Sequence, residues 1–202
     1  MDQKSMCAHL DFVAQEFLGL FDEPMRYKLA SKMYFAGGCI YCLRNDKQVK
    51  DYDIFLRDQS IFDEISNLDI WMCKTKYALS RGKYQLVVKY YGDPLECVGE
   101  FDFRHNMYYY VPFSGEIKSA NPEDQAKDFE MYQYITTNEL IFNSARARDI
   151  EGVWLRIAKF EKRGMKATKE TKREIKAKTT RKAVKKYQKE FRKRRSRNRS
   201  YY

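Results

Sequence analysis

Leu10, Val13, Phe17, Leu18 and Phe21 recur at helical spacing, so the pattern predicts a helix over residues 7–20 that Pro24 ends or restarts. A short β-prone run, MYFA at 33–36, stops at Gly37-Gly38, and residues 39–44 suit a short helix. From Val49 to Leu56 polar and apolar positions alternate as in a strand, and Ile61, Phe62, Ile65 and Leu68 mark a second helix over 59–68. Residues 70–79 and 84–91 read as two strands joined by a turn at 80–83, and Gly92-Asp93-Pro94 breaks the chain. The alternation in CVGEFDFRHNMYYYV predicts one more strand running into a loop. Residues 122–134 look helical, and apolar positions from Leu140 to Phe160 predict one or two helices over 138–163, closed by Gly164.

No repeat is visible. The order of helix, strand, helix, strand, helix, strands and helices predicts an α+β body with a short mixed sheet, then a helical segment and a tail. Residues 1–30 form an N-terminal helical segment, 31–115 the core, 116–165 the helical segment and 166–202 a basic, largely disordered tail.

Charge sharpens that division. The chain has 202 residues and a formal net charge of +11, but residues 159–202 hold 20 Lys and Arg against 4 Glu, a balance of +16. The remaining 158 residues sum to −5. Such a tail suits a polyanion, RNA or DNA before an anionic membrane surface. Lys185, Lys186, Arg192, Arg194 and Arg195 are its candidate nucleic-acid contacts. Val184, Tyr187 and Phe191 share one face should the tail become helical on a partner. No apolar run approaches a membrane helix and the N-terminus is no signal peptide, so the expected compartment is the cytoplasm. Five scattered cysteines read as free thiols. Cys39-Ile40-Tyr41-Cys42 is either two thiols packed on a helix or a lone CxxC with no second pair to complete a zinc site.

The chemistry concentrates between Gly37 and Asp53. Two carboxylates two residues apart in a strand emerge on one face, where they repel each other unless a divalent cation lies between them. Hard oxygen ligands at that spacing suit Mg²⁺ or Mn²⁺. A Gly-Gly turn without Cβ atoms lets backbone N–H groups approach a phosphate closely. Gly37-Gly38, a twelve-residue spacer and Asp51-Tyr52-Asp53-Ile54 resemble the signature of the DNA-polymerase-beta-type nucleotidyltransferase superfamily, above all its CCA-adding and poly(A) polymerase branch. The stretches around 84–110 and 139–164 also resemble short nucleotidyltransferase-like proteins of bacteriophages.

The resemblance implies a nucleotidyltransferase fold in which Asp51, Asp53 and a third carboxylate from a later strand bind two metal ions. Asp102 in EFDF is the expected third carboxylate, with Glu100 as its substitute. It implies an NTP as substrate, β/γ-phosphates held by Gly37 and Gly38, and an acceptor hydroxyl, RNA or tRNA being favoured by the tail. Arg156, Lys159 and Arg163, spaced i, i+3, i+7, are the expected triphosphate contacts. Arg81, Lys83, Arg104 and His105 are weaker candidates, solvated or structural on the plainer reading. The Arg-Asp pair that CCA-adding enzymes carry shortly after Gly-Gly reads Tyr41-Cys42 here, so metal-dependent transfer carries over and CCA addition does not. Two alternatives stay open: a nucleotidyltransferase that modifies a protein, and a non-catalytic nucleic-acid-binding viral protein that kept the fold.

Overall fold

The computed structural model describes residues 1–146 and 149–179. The tail candidates Lys185, Lys186, Arg192, Arg194 and Arg195 lie outside the described residues. The chain divides into two compact units, one formed by Met1–Phe101 with His105–Thr136, the other by Asp102–Arg104 with the chain from Thr137 onward.

The first unit opens with α1 (Gln3–Leu18) and α2 (Glu23–Lys32), each started by an Asp side chain that accepts a first-turn N–H, Asp2 from Ser5 and Asp22 from Met25. Pro24 lies in the first turn of α2, where its missing donor costs nothing. There follow β1 (Met33–Ala36), α3 (Gly38–Arg44), β2 (Tyr52–Leu56), α4 (Gln59–Ser66), β3 (Cys73–Lys74), β4 (Ala78–Arg81), β5 (Tyr84–Tyr91) and α5 (Pro94–Gly99). A 3₁₀ turn at Arg104–Asn106 leads into β6 (Tyr108–Tyr110) and β7 (Ile117–Ser119).

Seven strands form one sheet in the order β3-β4-β5-β2-β1-β6-β7. The β2–β5 pairing is parallel and the other pairings are antiparallel, so the sheet is mixed as expected. Alternation sends Met33, Phe35, Tyr52, Ile54, Leu56, Tyr84 and Leu86 to the face packed by helical residues such as Leu10, Phe17, Leu29, Ile40 and Ile65. Tyr34, Ala36, Phe55, Val87 and Tyr109 occupy the opposite face with Val98 of α5, Phe101 and Met107.

Two expectations fail here. Residues 97–111 are not one strand: α5, capped by Asp93 and begun by Pro94, carries helix into residues 97–99, and a 3₁₀ turn follows at Arg104–Asn106. Residues 122–134 form turns and a 3₁₀ turn at Phe129–Met131 rather than a helix. The fully buried Asp124 carboxylate explains the latter. It accepts the Tyr108 hydroxyl at 2.8 Å and the Lys127 ammonium at 3.3 Å, pinning the segment to the sheet before a helix can propagate.

The second unit holds β8 (Glu139–Leu140), α6 (Ile150–Glu161), β9 (Lys166–Ala167) and α7 (Lys169–Lys178). β8 and β9 pair in parallel, and Phe103 bridges Phe142. Thr168 caps α7, Thr171 donates to the Leu140 carbonyl at 2.6 Å, and Ile175 is fully buried. The first part of the expected disordered tail is therefore ordered by one cap and two buried side chains. Among the described residues of the expected helical segment 116–165, only α6 is α-helix. No described helix is long and apolar enough to cross a membrane.

Candidate functional site

β1 and β2 run antiparallel with Phe35 opposite Ile54, so the next step of the register sets Ala36 beside Asp53. The chain thus leaves β1 through Gly37-Gly38 at the level where Asp51 and Asp53 enter β2. Asp51, one residue before the strand, is exposed, and Asp53 is half-buried. An electrostatic contact supports the same proximity: burial pushes the Cys39 thiol up, and the Asp53 carboxylate adds to that shift. Cys39 lies in the first turn of α3, so the Asp53 carboxylate lies near that turn.

Gly37 has φ +80° and ψ −127°, a conformation that side chains avoid, and an added Cβ would stand 3.2 Å from Phe101 Cε2. Its N–H donates to the Tyr108 carbonyl at 3.1 Å and is committed to the sheet. Gly38 differs. A Cβ there would meet nothing within 4 Å, and no side chain caps α3. Of the two glycines expected to hold phosphate, Gly38 has the open backbone and Gly37 makes the bend.

Among the described residues no group of three or more His, Cys, Asp and Glu is placed to hold a metal ion. Asp51 and Asp53 alone still fit Mg²⁺, which is commonly bound by one or two carboxylates while water and substrate phosphates fill the other positions. Cys39 and Cys42 both lie on α3, and neither is in a disulfide.

Asp102 lies in the second unit and outside any strand. Its backbone carbonyl accepts Asn143 N–H at 2.8 Å, and its carboxylate pairs with Arg146 Nε at 3.3 Å and with both Nε and Nη2 of Arg156. Burial raises the Asp102 carboxyl while Arg156 and then Arg146 oppose that shift. Arg156 also reaches Asp149 Oδ2 at 2.9 Å. Gly152 makes room for this pair, since a Cβ there would come within 2.5 Å of Asp149 Oδ2 and 2.9 Å of Arg156 Nη1. Arg156 is thus engaged by carboxylates, whereas Lys159 on α6 and Arg163 beyond its end are exposed.

Glu100 follows α5 in the first unit. Arg81 donates to the Ile70 carbonyl at 2.7 Å, and Lys83 pairs with Glu16 at 2.7 Å, both structural roles. His105 is 1% exposed with its ring edge-on to Tyr41, and burial pushes its imidazole down to about 3.

One polar residue at the site escaped the sequence reading. The parallel register places Gln85 of β5 directly beside Asp53 of β2. Its signal was a lone polar residue inside the apolar run YQLVV, but only the pairing gives it a neighbour.

An α+β protein with a glycine turn and a carboxylate pair at adjoining strand ends is the class this fold and site define. The chain belongs to the Gabija anti-defense 2 (Gad2) family, whose sequence profile matches residues 10–117. That span runs from α1 to β7 and contains Gly37, Gly38, Asp51, Asp53 and Gln85. Among curated proteins none matches the sequence. Solved structures to which the chain is similar include the Thermotoga maritima CCA-adding enzyme complexed with tRNA, 16% identical over 83% of this chain and 44% of that one, at a TM-score of 0.46. Others are a tRNA-processing enzyme with CTP (16% identity, 73% of this chain and 43% of that one, TM-score 0.44) and a tRNA-processing enzyme in an apo form (14%, 78% and 47%, 0.44). The chain spans under half the length of each.

Proposed function

We propose that this chain is a metal-dependent nucleotidyltransferase that moves an NMP from an NTP to a hydroxyl of an RNA acceptor. The observation that supports this best is the meeting of the open Gly38 backbone with Asp51 and Asp53 at the adjoining ends of β1 and β2. Asp51 and Asp53 would hold Mg²⁺ or Mn²⁺, which when bound offsets charge on the triphosphate. Gly37 bends the chain so that the Gly38 N–H can meet a phosphate oxygen without a side chain in the way. The acceptor hydroxyl oxygen bonds to the α-phosphorus as the α–β bridging P–O bond breaks; pyrophosphate leaves and the hydroxyl proton passes to solvent. Lys159 and Arg163 are exposed cations of the second unit, suited to the phosphates of an RNA acceptor. Asp102 has its carboxylate taken by Arg146 and Arg156, and in this proposal it orders the second unit.

Membership of a family described as anti-defense favours a second reading, in which the acceptor is a protein of the Gabija system. Both are tested by incubating the protein with each α-labelled NTP, Mg²⁺ or Mn²⁺, and either total RNA or purified Gabija proteins, beside Asp51→Ala/Asp53→Ala. Label on RNA that needs both carboxylates establishes the first reading, and label on protein the second. No label on either, with RNA binding unchanged in the double variant, would refute transfer.

A further inference from the structure

The strand register defines one row of side chains across the sheet. Ser80 of β4 pairs with Gln85 of β5, and Gln85 with Asp53 of β2. One step past the last β1–β2 pair comes Ala36, which in turn pairs with Tyr109 of β6. Residues paired in this way project to the same face, so Ser80, Gln85 and Asp53 stand side by side on the face opposite α1. The neighbouring row on that face is apolar: Ala78 pairs with Val87, and Val87, Phe55 and Tyr34 pack with Val98 of α5. The polar row therefore lies at the margin of the cover provided by α5, and Ser80, Gln85 and Asp53 are all half-buried.

Adjacent strands are about 4.8 Å apart, a span that a Gln side chain crosses easily. An amide at that position can donate its Nε2–H to the Asp53 carboxylate and present Oε1 toward whatever cation the carboxylate binds. Tyr84 and Leu86 on either side are buried in the main core, and Gln85 between them lies half-buried on the opposite face of the sheet.

We propose that Gln85 is the third oxygen donor of the Asp51/Asp53 site, giving a set of two carboxylates and one neutral amide that binds a divalent cation with two negative charges rather than three. This rests on the metal-dependent reading above. It differs from the expectation that Asp102 fills the third place, and it accounts for an amide beside the carboxylate pair.

The test is Mn²⁺ binding to the full chain, read by electron paramagnetic resonance of free Mn²⁺ and by calorimetry, with thermal melts to check folding. Asp51→Asn/Asp53→Asn should abolish binding. Gln85→Ala should weaken binding about tenfold, the lower end of what losing a partner at a metal site costs. Gln85→Glu, of nearly unchanged volume, should tighten it at least about tenfold by adding a charge next to Asp53. Ser80→Ala, one strand further away, should match the wild type. A gain of affinity cannot come from misfolding, so Gln85→Glu guards against a variant that merely unfolds. Wild-type binding that depends on Asp51 and Asp53 but is unchanged in both Gln85 variants would overturn the role of Gln85 and leave the metal reading standing. Failure of wild type and Gln85→Glu alike to bind Mn²⁺ would overturn both.

Discussion

Gly37 and Gly38 are adjacent, yet alanine should act on them in opposite ways. At Gly37, φ +80° with ψ −127° is open only to glycine, and holding another residue there costs about 1–3 kcal/mol. The 3.2 Å approach to Phe101 Cε2 requires that ring to shift by a few tenths of an ångström as well. Gly37→Ala should therefore lower the melting temperature by roughly 2–12 °C, at about 2–4 °C per kcal/mol for a chain of this size. At Gly38 the backbone is helical and the space is empty, so Gly38→Ala should leave stability unchanged or raise it by up to about 1 kcal/mol. Its methyl group, however, stands where a phosphate would reach the backbone. Removing one charge-assisted N–H bond to phosphate costs about 1.5–3 kcal/mol, or roughly 10–100-fold in nucleotide affinity. The assay is calorimetric titration with non-hydrolysable analogues of the four NTPs in Mg²⁺, paired with thermal melts of each variant. A stable Gly38→Ala that binds nucleotide as the wild type does would refute the phosphate role of this turn.

Asp51→Asn/Asp53→Asn should lower transfer at least about a hundredfold while leaving the melting temperature equal or slightly higher, because two neighbouring like charges are removed; a transfer assay and a melt of the same sample check both. Asp102→Asn should cost about 3–5 kcal/mol in chemical denaturation, since it strips the anion from the buried Arg146 and from Arg156; a cost below about 1 kcal/mol would refute its structural role. His105, buried and held near pKa 3, refuses the proton that an unfolded chain accepts below about pH 6.5. Stability should thus fall as pH drops from 6.5 toward 3, by about 2 kcal/mol at pH 5, and His105→Leu should remove that share of the slope in urea titrations. Truncation after Thr179 should lower RNA affinity and flatten its salt dependence, the log–log slope falling by about 0.7–0.9 for every phosphate that the shortened chain no longer neutralises.

Local patterns carried the elements whose signals were local. The i, i+3, i+7 spacing from Leu10 to Phe17 gave α1, and Gly-Gly after MYFA gave the β1–α3 turn. Alternation misled between residues 97 and 111, because Phe103 and Met107 are buried, and Phe101 partly so, by packing around a helix end and a 3₁₀ turn, not by strand pleating. The environment of Asp102 was hidden for a different reason. EFDF reads as a catalytic strand only until Arg146 and Arg156, more than 40 residues away, are known to surround it. Apolar neighbours are equally compatible with a buried ion pair and with a metal ligand, and sequence spacing does not separate the two.

The position of Gln85 joins these threads. Antiparallel pairing of β1 with β2 brings the glycine turn to the carboxylates and sets Ala36 level with Asp53, while the parallel neighbour β5 sets the polar Gln85 at that level. A third carboxylate at that level would place three like charges within a few ångströms on a half-buried face, destabilising the metal-free fold. An amide avoids that repulsion and keeps an oxygen donor available. The choice links stability to metal: in metal-free buffer Gln85→Glu should melt below the wild type, and added Mn²⁺ should stabilise it by more than it stabilises the wild type. Equal melting of the two proteins with and without Mn²⁺ would mean that residue 85 does not sense the charge of Asp53, and the register-based account of the site would fail with it.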